Sequence, residues 1–236
     1  MKELEVAKLA CYKAGKFLLN LKEKIINSNN EKDIKLQADL DSEKIICEIL
    51  SNFFNYPILS EESYNINEEE KKEIYWIVDP LDGSLNFSQD IPICCVSVAL
   101  YKGDEPILGV VYDFYRDEMF SGLVGIGTWL NNKKISVLNI KKDKKQAVLA
   151  TGFSTYMNYS RSELEKFITH IQEFKKIRLL GSAALSLAYV ACGRVDAYYE
   201  KDIAFWDVAA GMALITNSRL VKFKKNGNKC TVSILF

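Results

Sequence analysis

Two aspartates, Asp79 and Asp82, stand directly after an apolar run at residues 74–78 that has the length and composition of a buried strand. Pro80 fixes its own φ, and Gly83 admits backbone angles that other residues resist, so the turn after the strand can bring the two carboxylates together. Neighbouring carboxylates repel each other, and hard oxygen ligands on a short turn suit Mg²⁺. An ordinary turn that caps a helix is the alternative, because Asp-Pro and Asp-Gly are common in loops.

Further acidic residues stand at the predicted ends of other elements. Glu61 and Glu62 follow a strand candidate at residues 56–60, and Asp207 opens a predicted helix, where a helix cap is the alternative interpretation. Clustered carboxylates of this kind hold two or three divalent cations in enzymes that transfer phosphoryl groups. The spacing along the chain does not prove that these acids converge with the pair on the turn.

Other residues that could do chemistry have simpler interpretations. Asp39 and Asp41 precede the apolar face of a predicted helix, and because its dipole favours acids there, we interpret them as a first-turn charge or a cap. The single histidine, His170, lies in a helical stretch, which argues against a catalytic triad or a phosphohistidine mechanism. The glycines at residues 122–127 are more typical of a strand-edge loop than of a dinucleotide site.

The remaining pattern predicts how helices and strands position these residues. Apolar residues at a three-to-four spacing predict a long helix at residues 4–25 and a second at residues 45–53. After the central turn, short strands indicate an antiparallel meander, and the second half alternates strand and helix before a terminal hairpin. The predicted segments are strands 93–101, 107–112, 118–121, 134–137, 147–151, 177–180 and 195–199, helices 162–174, 183–191 and 208–216, and the hairpin 223–235.

Composition excludes several classes of protein. The 236 residues are 48% hydrophobic and include 31 basic and 31 acidic side chains, so we expect a folded chain with no net charge to attract nucleic acid or an anionic membrane. The first residues lack the pattern of a signal peptide, and no apolar stretch is long enough to span a bilayer. Six cysteines without zinc-type spacing are expected to be buried thiols in a reducing compartment, which predicts a cytoplasmic protein.

Six motifs together resemble those of the inositol monophosphatase family, part of a superfamily of lithium-sensitive, magnesium-dependent phosphatases. They are ILSEES at residues 58–63, WIVDPLDGSLNF at 76–87, LGVVY at 108–112, GSAA at 181–184, VDAYYE at 195–200 and WDVAAG at 206–211. The resemblance implies an α/β (α+β) fold, a layered αβαβα sandwich. It would comprise an antiparallel-sheet lobe at residues 1–140, which carries most metal ligands, and a smaller mixed-sheet lobe at residues 141–236.

The resemblance also implies a set of metal ligands. Glu61, Asp79 and the backbone carbonyl of Leu81 would hold a first Mg²⁺ ion. Asp79, Asp82 and Asp207 would hold a second, with two or three ions in each site. A chemistry based on metal ions needs no histidine, which agrees with the composition.

Catalytic and substrate-binding roles follow from the same resemblance. Glu61, Asp79 and Ser84 would be catalytic, with Ser84 and Glu61 orienting the attacking water. Backbone N–H groups at Gly83 and Ser84 would receive the phosphate. The leaving group would contact four residues of the second lobe: Gly181, Ser182, Ala183 and Glu200.

The implied activity is the Mg²⁺-dependent hydrolysis of a small sugar or cyclitol phosphate, such as inositol 1-phosphate. Asn86 and Phe87 favour this branch over the phosphatases of 3′-phosphoadenosine 5′-phosphate, which usually have Lys-Glu-Phe there, and fructose-1,6-bisphosphatase activity stays open. A regulatory binding protein on the same fold is the alternative from another class, although the complete set of acids favours catalysis. Family members are commonly homodimers, so we expect a homodimer that binds a phosphorylated metabolite and neither nucleic acid nor membrane.

Overall fold

The computed structural model describes residues 2–30, 33–63, 65–67, 69–136, 143–215 and 221–235. Its helices are α1 (Lys2–Leu19), α2 (Gln37–Phe53), α3 (Ser84–Ser88), α4 (Arg161–Ile171), α5 (Ala183–Ala191) and α6 (Phe205–Ile215). Its strands are β1 (Ile26–Asn30), β2 (Asp33–Leu36), β3 (Ile58–Ser60), β4 (Ile74–Asp82), β5 (Cys95–Lys102), β6 (Glu105–Asp113), β7 (Glu118–Leu123), β8 (Gly127–Leu130), β9 (Lys133–Lys134), β10 (Val148–Thr151), β11 (Lys176–Leu179), β12 (Ala197–Ala204), β13 (Val221–Asn226) and β14 (Lys229–Ile234).

The strands form two large sheets and a two-stranded hairpin of β1 and β2. The order of the larger sheet is β3-β4-β5-β6-β7-β8-β9, and that of the smaller is β11-β10-β12-β14-β13. The smaller sheet is mixed, as predicted, because β10 is parallel to β11 and β12 whereas β14 is antiparallel to its neighbours. The larger sheet is antiparallel except at its edge, where β3 runs parallel to β4 because the connection between them crosses back before β4 begins.

Alternating side chains of β4 divide the core into two faces. Trp76 and Val78 pack with apolar residues of α1 and α2 on one side of the larger sheet. Tyr75 and Ile77 pack on the opposite side with residues of α5 and α6. Because β4 buries both faces, it reads as a continuous apolar run rather than as an alternating one.

The helices complete a five-layer arrangement. Helices α5 and α6 lie between the two sheets, so nearly all of their side chains are buried and apolar. On the far side of the smaller sheet, Phe167 and His170 of α4 contact the ring of Tyr199 on β12. The predicted αβαβα sandwich is therefore confirmed, whereas the lobe boundary at residues 140–141 lies outside the described residues and stays a prediction. None of the described helices has the length and apolar character needed to cross a membrane.

The first helix is shorter than predicted: residues 20–25 are irregular, and the hairpin of β1 and β2 follows them. Helix α1 ends at Leu19; the side-chain amide of Asn20 donates to the Lys16 carbonyl at 2.7 Å and shares that acceptor with the backbone N–H of Asn20, at 3.3 Å. Lys24 then donates to the carbonyl of Phe87, at 2.6 Å, which draws the chain toward the end of α3. Strands β1 and β2 follow as a pair.

Several other boundaries also differ from the prediction; α2, for example, starts at Gln37 rather than at residue 45. Of the strand expected at residues 134–137, only Lys134 lies in a strand, β9, which forms a hairpin with β8; residue 137 lies outside the described residues. Asn131 and Asn132 both have left-handed backbone angles, φ +46° and +66°, as a tight two-residue turn requires. The last helix starts at Phe205 rather than Val208, and Thr216 at its predicted end lies outside the described residues.

A substitution at Gly109 would test the close approach of α6 to the larger sheet. A methyl group at Gly109 of β6 would lie 2.3 Å from the carbonyl oxygen of Ala210. We expect Gly109→Ala to lower the free energy of unfolding by about 3 kcal/mol, the upper range for an overpacked core, in urea titrations. Gly103→Ala is the control, because its methyl group would meet nothing within 4 Å and only the φ of +61° is strained, at about 1 kcal/mol. Equal losses in the two variants would contradict the packing described here.

Candidate active site

A bulge at the end of β4 places Asp79 and Asp82 on the same face of the sheet. Asp79 pairs with Ser97 and Asp82 with Cys95, so β4 contains one more residue than β5 over this interval. In a regular strand, side chains three positions apart point to opposite faces, and the extra residue of the bulge offsets this alternation. The strand thus continues through Asp82, and the turn begins only at Gly83, whose φ of +93° favours glycine.

Three acids from three elements converge next to this bulge. One ligand oxygen of each of Glu61, Asp79 and Asp207 lies within 4.8 Å of the others. Glu61 directly follows β3, and its backbone N–H donates to the carbonyl of Val78 at 3.3 Å, which attaches it to β4. Asp207 lies in the first turn of α6, inside the helix rather than at its cap.

Asp82 connects the central strand to the start of α5. Its Oδ2 accepts hydrogen bonds from the Ser182 hydroxyl at 2.7 Å and from the Ala184 N–H at 2.6 Å. Its Oδ1 accepts a longer one from the Ala183 N–H at 3.3 Å. The N-terminus of a helix favours a negative charge, so α5 stabilises the ionised Asp82.

The protonation of these acids reflects their burial and proximity. Burial raises the pKa of Asp79 and of Asp207 well above the usual range, and the charges of Glu61 and Asp82 raise both further. Burial also raises the pKa of Asp82, to about 6, against the opposing hydrogen bonds from Ser182 and Ala184. The atoms of these acids that could bind a metal ion are all carboxylate oxygens, and the ionised carboxylates repel each other. The four acids therefore fit a divalent cation such as Mg²⁺.

Ser84 links the strand end to α2. Its hydroxyl lies 2.9 Å from the carbonyl oxygen of Leu81 and 3.0 Å from Oδ1 of Asp39. The other oxygen of Asp39 accepts the N–H of Leu36 at 2.6 Å, so the predicted role of Asp39 at the helix start is confirmed. Burial raises the pKa of Asp39 to about 7. Its contact with Ser84 was not predicted, because nothing in the local sequence indicates it.

A pocket of about 220 Å³ adjoins the acids and reaches into the second half of the chain. Asp82 and Asp207 border it, and all four predicted leaving-group contacts line it: Gly181, Ser182, Ala183 and Glu200. Gly83 lies against the same edge, since a methyl group there would stand 3.2 Å from the carbonyl oxygen of Gly181. The structure therefore brings the predicted substrate contacts together with two of the acids.

The loop after β10 also lines the pocket, and the sequence analysis missed it. Residues 151–156 border the cavity, and a methyl group at Gly152 would lie 2.4 Å from Oε1 of Glu200. Glu200 accepts a hydrogen bond from the Tyr198 hydroxyl at 2.8 Å, and burial raises the pKa of Glu200 to about 7. A glycine directly after the predicted strand 147–151 was the available signal, because such a glycine often marks a close approach of the backbone.

Comparisons with protein-family models, with known sequences and with solved structures all match the chain to inositol monophosphatases or SuhB proteins. The family model described as the Inositol monophosphatase family matches residues 2–218. The chain is 41% identical to the Nus factor SuhB of Xylella fastidiosa over 78% of this chain and 66% of that relative, just under two thirds of its length. It is 35% identical to an inositol-1-monophosphatase of Synechocystis over 90% of this chain and 75% of the relative. The structure of the extragenic suppressor protein suhB from Bartonella henselae superposes with a TM-score of 0.84 at 31% identity, covering 98% of this chain and 93% of that one.

The buried acids predict how stability depends on pH when metal is removed. Folding raises the pKa of Asp82 to about 6 and of Glu200 to about 7. The folded state therefore binds more protons than the unfolded chain above about pH 4, and stability is lost as pH rises through the folded pKa values. We expect the calorimetric Tm in chelator to fall between about pH 5 and about pH 8. Asp79→Asn removes one charge from the cluster and should reduce this fall, whereas a Tm that rises with pH would contradict the cluster.

Proposed function

The chain belongs to the inositol monophosphatase family, and we propose that it is a Mg²⁺-dependent phosphomonoesterase. The observation that carries the proposal is the convergence of Glu61, Asp79 and Asp207, with ligand oxygens within 4.8 Å of one another. Only 1% of the surface of Asp79 is exposed. Buried carboxylates at this separation are stable in their ionised form when a cation lies among them, and oxygen ligands are those that Mg²⁺ prefers. The names of the relatives support a phosphatase.

Five residues would hold the metal ions. Glu61, Asp79 and the Leu81 carbonyl fit one ion, whereas Asp79, Asp82 and Asp207 fit a second, and the proposal includes two or three ions per site. Magnesium, when bound, supplies positive charge that acidifies water and offsets the negative charge of the phosphoryl oxygens.

The chain's own residues would orient the reactants. Glu61 and the Ser84 hydroxyl would orient the attacking water, since contacts with Leu81 and Asp39 fix the position of that hydroxyl. The phosphate would lie at Gly83 and Ser84, at the start of α3, where backbone N–H groups have no partner within the helix. His170 takes no part, because it packs against Tyr199 on the outer side of the smaller sheet, with 4.6 Å between ring centroids.

The pocket supports a monophosphate of a neutral polyol as the substrate. Among the described residues that line it, none is Lys or Arg, whereas Glu200 contributes a carboxylate and Ser154, Thr155 and Ser182 carry hydroxyl groups. Carboxylate and hydroxyl oxygens suit the hydroxyl groups of a sugar or cyclitol. A second phosphate in this pocket would meet the charge of Glu200 with no basic side chain beside it. This charge pattern favours an inositol 1-phosphate-like substrate over fructose 1,6-bisphosphate or 3′-phosphoadenosine 5′-phosphate.

The proposal extends to properties that the family resemblance implies. These are sensitivity to lithium, a homodimeric assembly, a cytoplasmic location, and a phosphorylated metabolite rather than nucleic acid or membrane as the binding partner. All six cysteines are free thiols, which fits a reducing compartment. The balance of 31 basic and 31 acidic residues fits the absence of a polyanionic partner.

A substrate panel tests the activity and the substrate class. Phosphate release would be measured from inositol 1-phosphate, fructose 1,6-bisphosphate, 3′-phosphoadenosine 5′-phosphate and NADP, each with Mg²⁺ and with chelator. We expect Mg²⁺-dependent release from inositol 1-phosphate to exceed release from the others by about tenfold or more, because a second phosphate would be repelled by Glu200 without a compensating basic side chain among the described residues that line the pocket. Preference for a bisphosphate would contradict the substrate class. Silence across the panel in folded protein would contradict the proposed activity and favour a binding role.

Asp79→Asn tests the metal ligands. The amide keeps the shape of the side chain but lacks the charge that both proposed ions share, so phosphate release should fall by about 100-fold or more. The matched control is Asp104→Asn, which removes only a surface ion pair with Lys225 and should leave turnover unchanged. Circular dichroism would establish that both variants are folded. Near-normal turnover in Asp79→Asn would refute the assignment.

A further inference from the structure

Glu43 is a buried acid of α2 that belongs neither to the acid cluster nor to the pocket lining. Only 2% of its surface is exposed, and four groups of the segment at residues 60–63 donate hydrogen bonds to its carboxylate. Oε2 accepts from the backbone N–H groups of Glu62 and Ser63, at 3.2 Å and 3.3 Å. The Ser60 hydroxyl also donates to Oε2, and the Ser63 hydroxyl donates to Oε1. Such contacts stabilise a buried charge.

Glu61 lies in the middle of this segment. On one side, its backbone N–H is bonded to Val78, the residue before Asp79. On the other side, Glu43 holds the residues that flank it. The neighbouring Glu62 is paired with Lys35 at 2.9 Å, so its charge is already compensated. The backbone that carries Glu61 is therefore fixed from both sides.

One face of α2 contacts the two segments of the larger sheet that carry proposed metal ligands. These are residues 60–63 after β3 and the end of β4. Asp39 contacts the Ser84 hydroxyl, Ser42 donates to the carbonyl of Pro80 at 2.7 Å, and Glu43 holds residues 60–63. Ser42 and Glu43 lie three and four residues after Asp39, so all three side chains lie on the same side of the helix. A rigid helix thus sets the distance between the segment after β3 and the bulge of β4.

We infer that Glu43 is a positioning residue, which fixes the backbone of residues 60–63 so that Glu61 presents its carboxylate to Asp79 and Asp207. This assignment rests on the proposed function, because it concerns the geometry of the proposed metal site. Without Glu43, the segment after β3 would lose the contacts that restrain it from the side of α2. The acids would then occupy a wider range of separations, and Mg²⁺ would bind less tightly.

Glu43→Gln is the test variant. Glutamine keeps the side-chain shape but replaces one acceptor oxygen with an NH₂ group, which cannot accept the donors that face it. Mg²⁺ affinity would be measured by isothermal titration calorimetry on the full chain, together with kcat and KM for inositol 1-phosphate across Mg²⁺ concentrations. We expect about a tenfold weaker Mg²⁺ affinity, with kcat restored at saturating Mg²⁺ and KM unchanged. The matched control is Glu48→Gln, an exposed acid of the same helix, which should bind Mg²⁺ as the wild type does.

Ser63→Ala separates positioning from folding. It removes one donor and leaves the buried charge in place, so it should weaken Mg²⁺ binding by less than Glu43→Gln while the Tm in chelator stays near that of the wild type. Unchanged Mg²⁺ affinity in a folded Glu43→Gln variant would overturn the inference. If Glu43→Gln does not fold, a Mg²⁺ affinity in Ser63→Ala equal to that of the wild type would also overturn the inference. A wild-type chain that binds Mg²⁺ but releases no phosphate would refute the proposed function, and the calorimetric comparison would still decide the role of Glu43.

Discussion

The repulsion among buried carboxylates is the constraint on which the rest of the structure depends. Asp79 is almost completely buried, and burial and neighbouring charges raise the pKa of both Asp79 and Asp207 well above the usual range. A chain that holds these groups together without a cation loses stability at neutral pH. The two apolar cores on either side of β4 offset that cost, since each buries a large set of aliphatic and aromatic side chains. The acid cluster therefore lowers the stability of the fold, and packing in the surrounding layers compensates for that loss.

Each acid is positioned through its backbone or through a helix terminus. The bulge of β4 orients Asp79 and Asp82, the bond to Val78 holds Glu61, and the first turn of α6 carries Asp207. This positioning brings ligand oxygens of Glu61, Asp79 and Asp207 within 4.8 Å of one another, a separation at which a cation could bind them.

The sequence indicated which acids are candidate ligands and which layers the fold has, but not how the acids are arranged in space. The six motifs, among them the one at residues 76–87, indicated the family and the sandwich, and both are confirmed. The roles of the individual site residues stay predictions. The bulge was not predictable, because it depends on the register between β4 and β5. Likewise the contact of Asp39 with Ser84 joins residues 45 positions apart, and the β1–β2 hairpin follows an early end of α1 that the apolar spacing does not indicate.

The division of the site between the two sheets separates the proposed chemistry from the choice of substrate. Glu61, Asp79 and Asp82 lie on the larger sheet, whereas the loop at residues 151–156 and Glu200 belong to the smaller one. The bonds of Asp82 to the first turn of α5 connect the two parts. Changes in the loop can therefore reshape the pocket without moving the acids, provided that α5 keeps its position. Because α5 and α6 are buried between the sheets, that position is among the most firmly packed in the molecule, and specificity can vary around a fixed reaction centre.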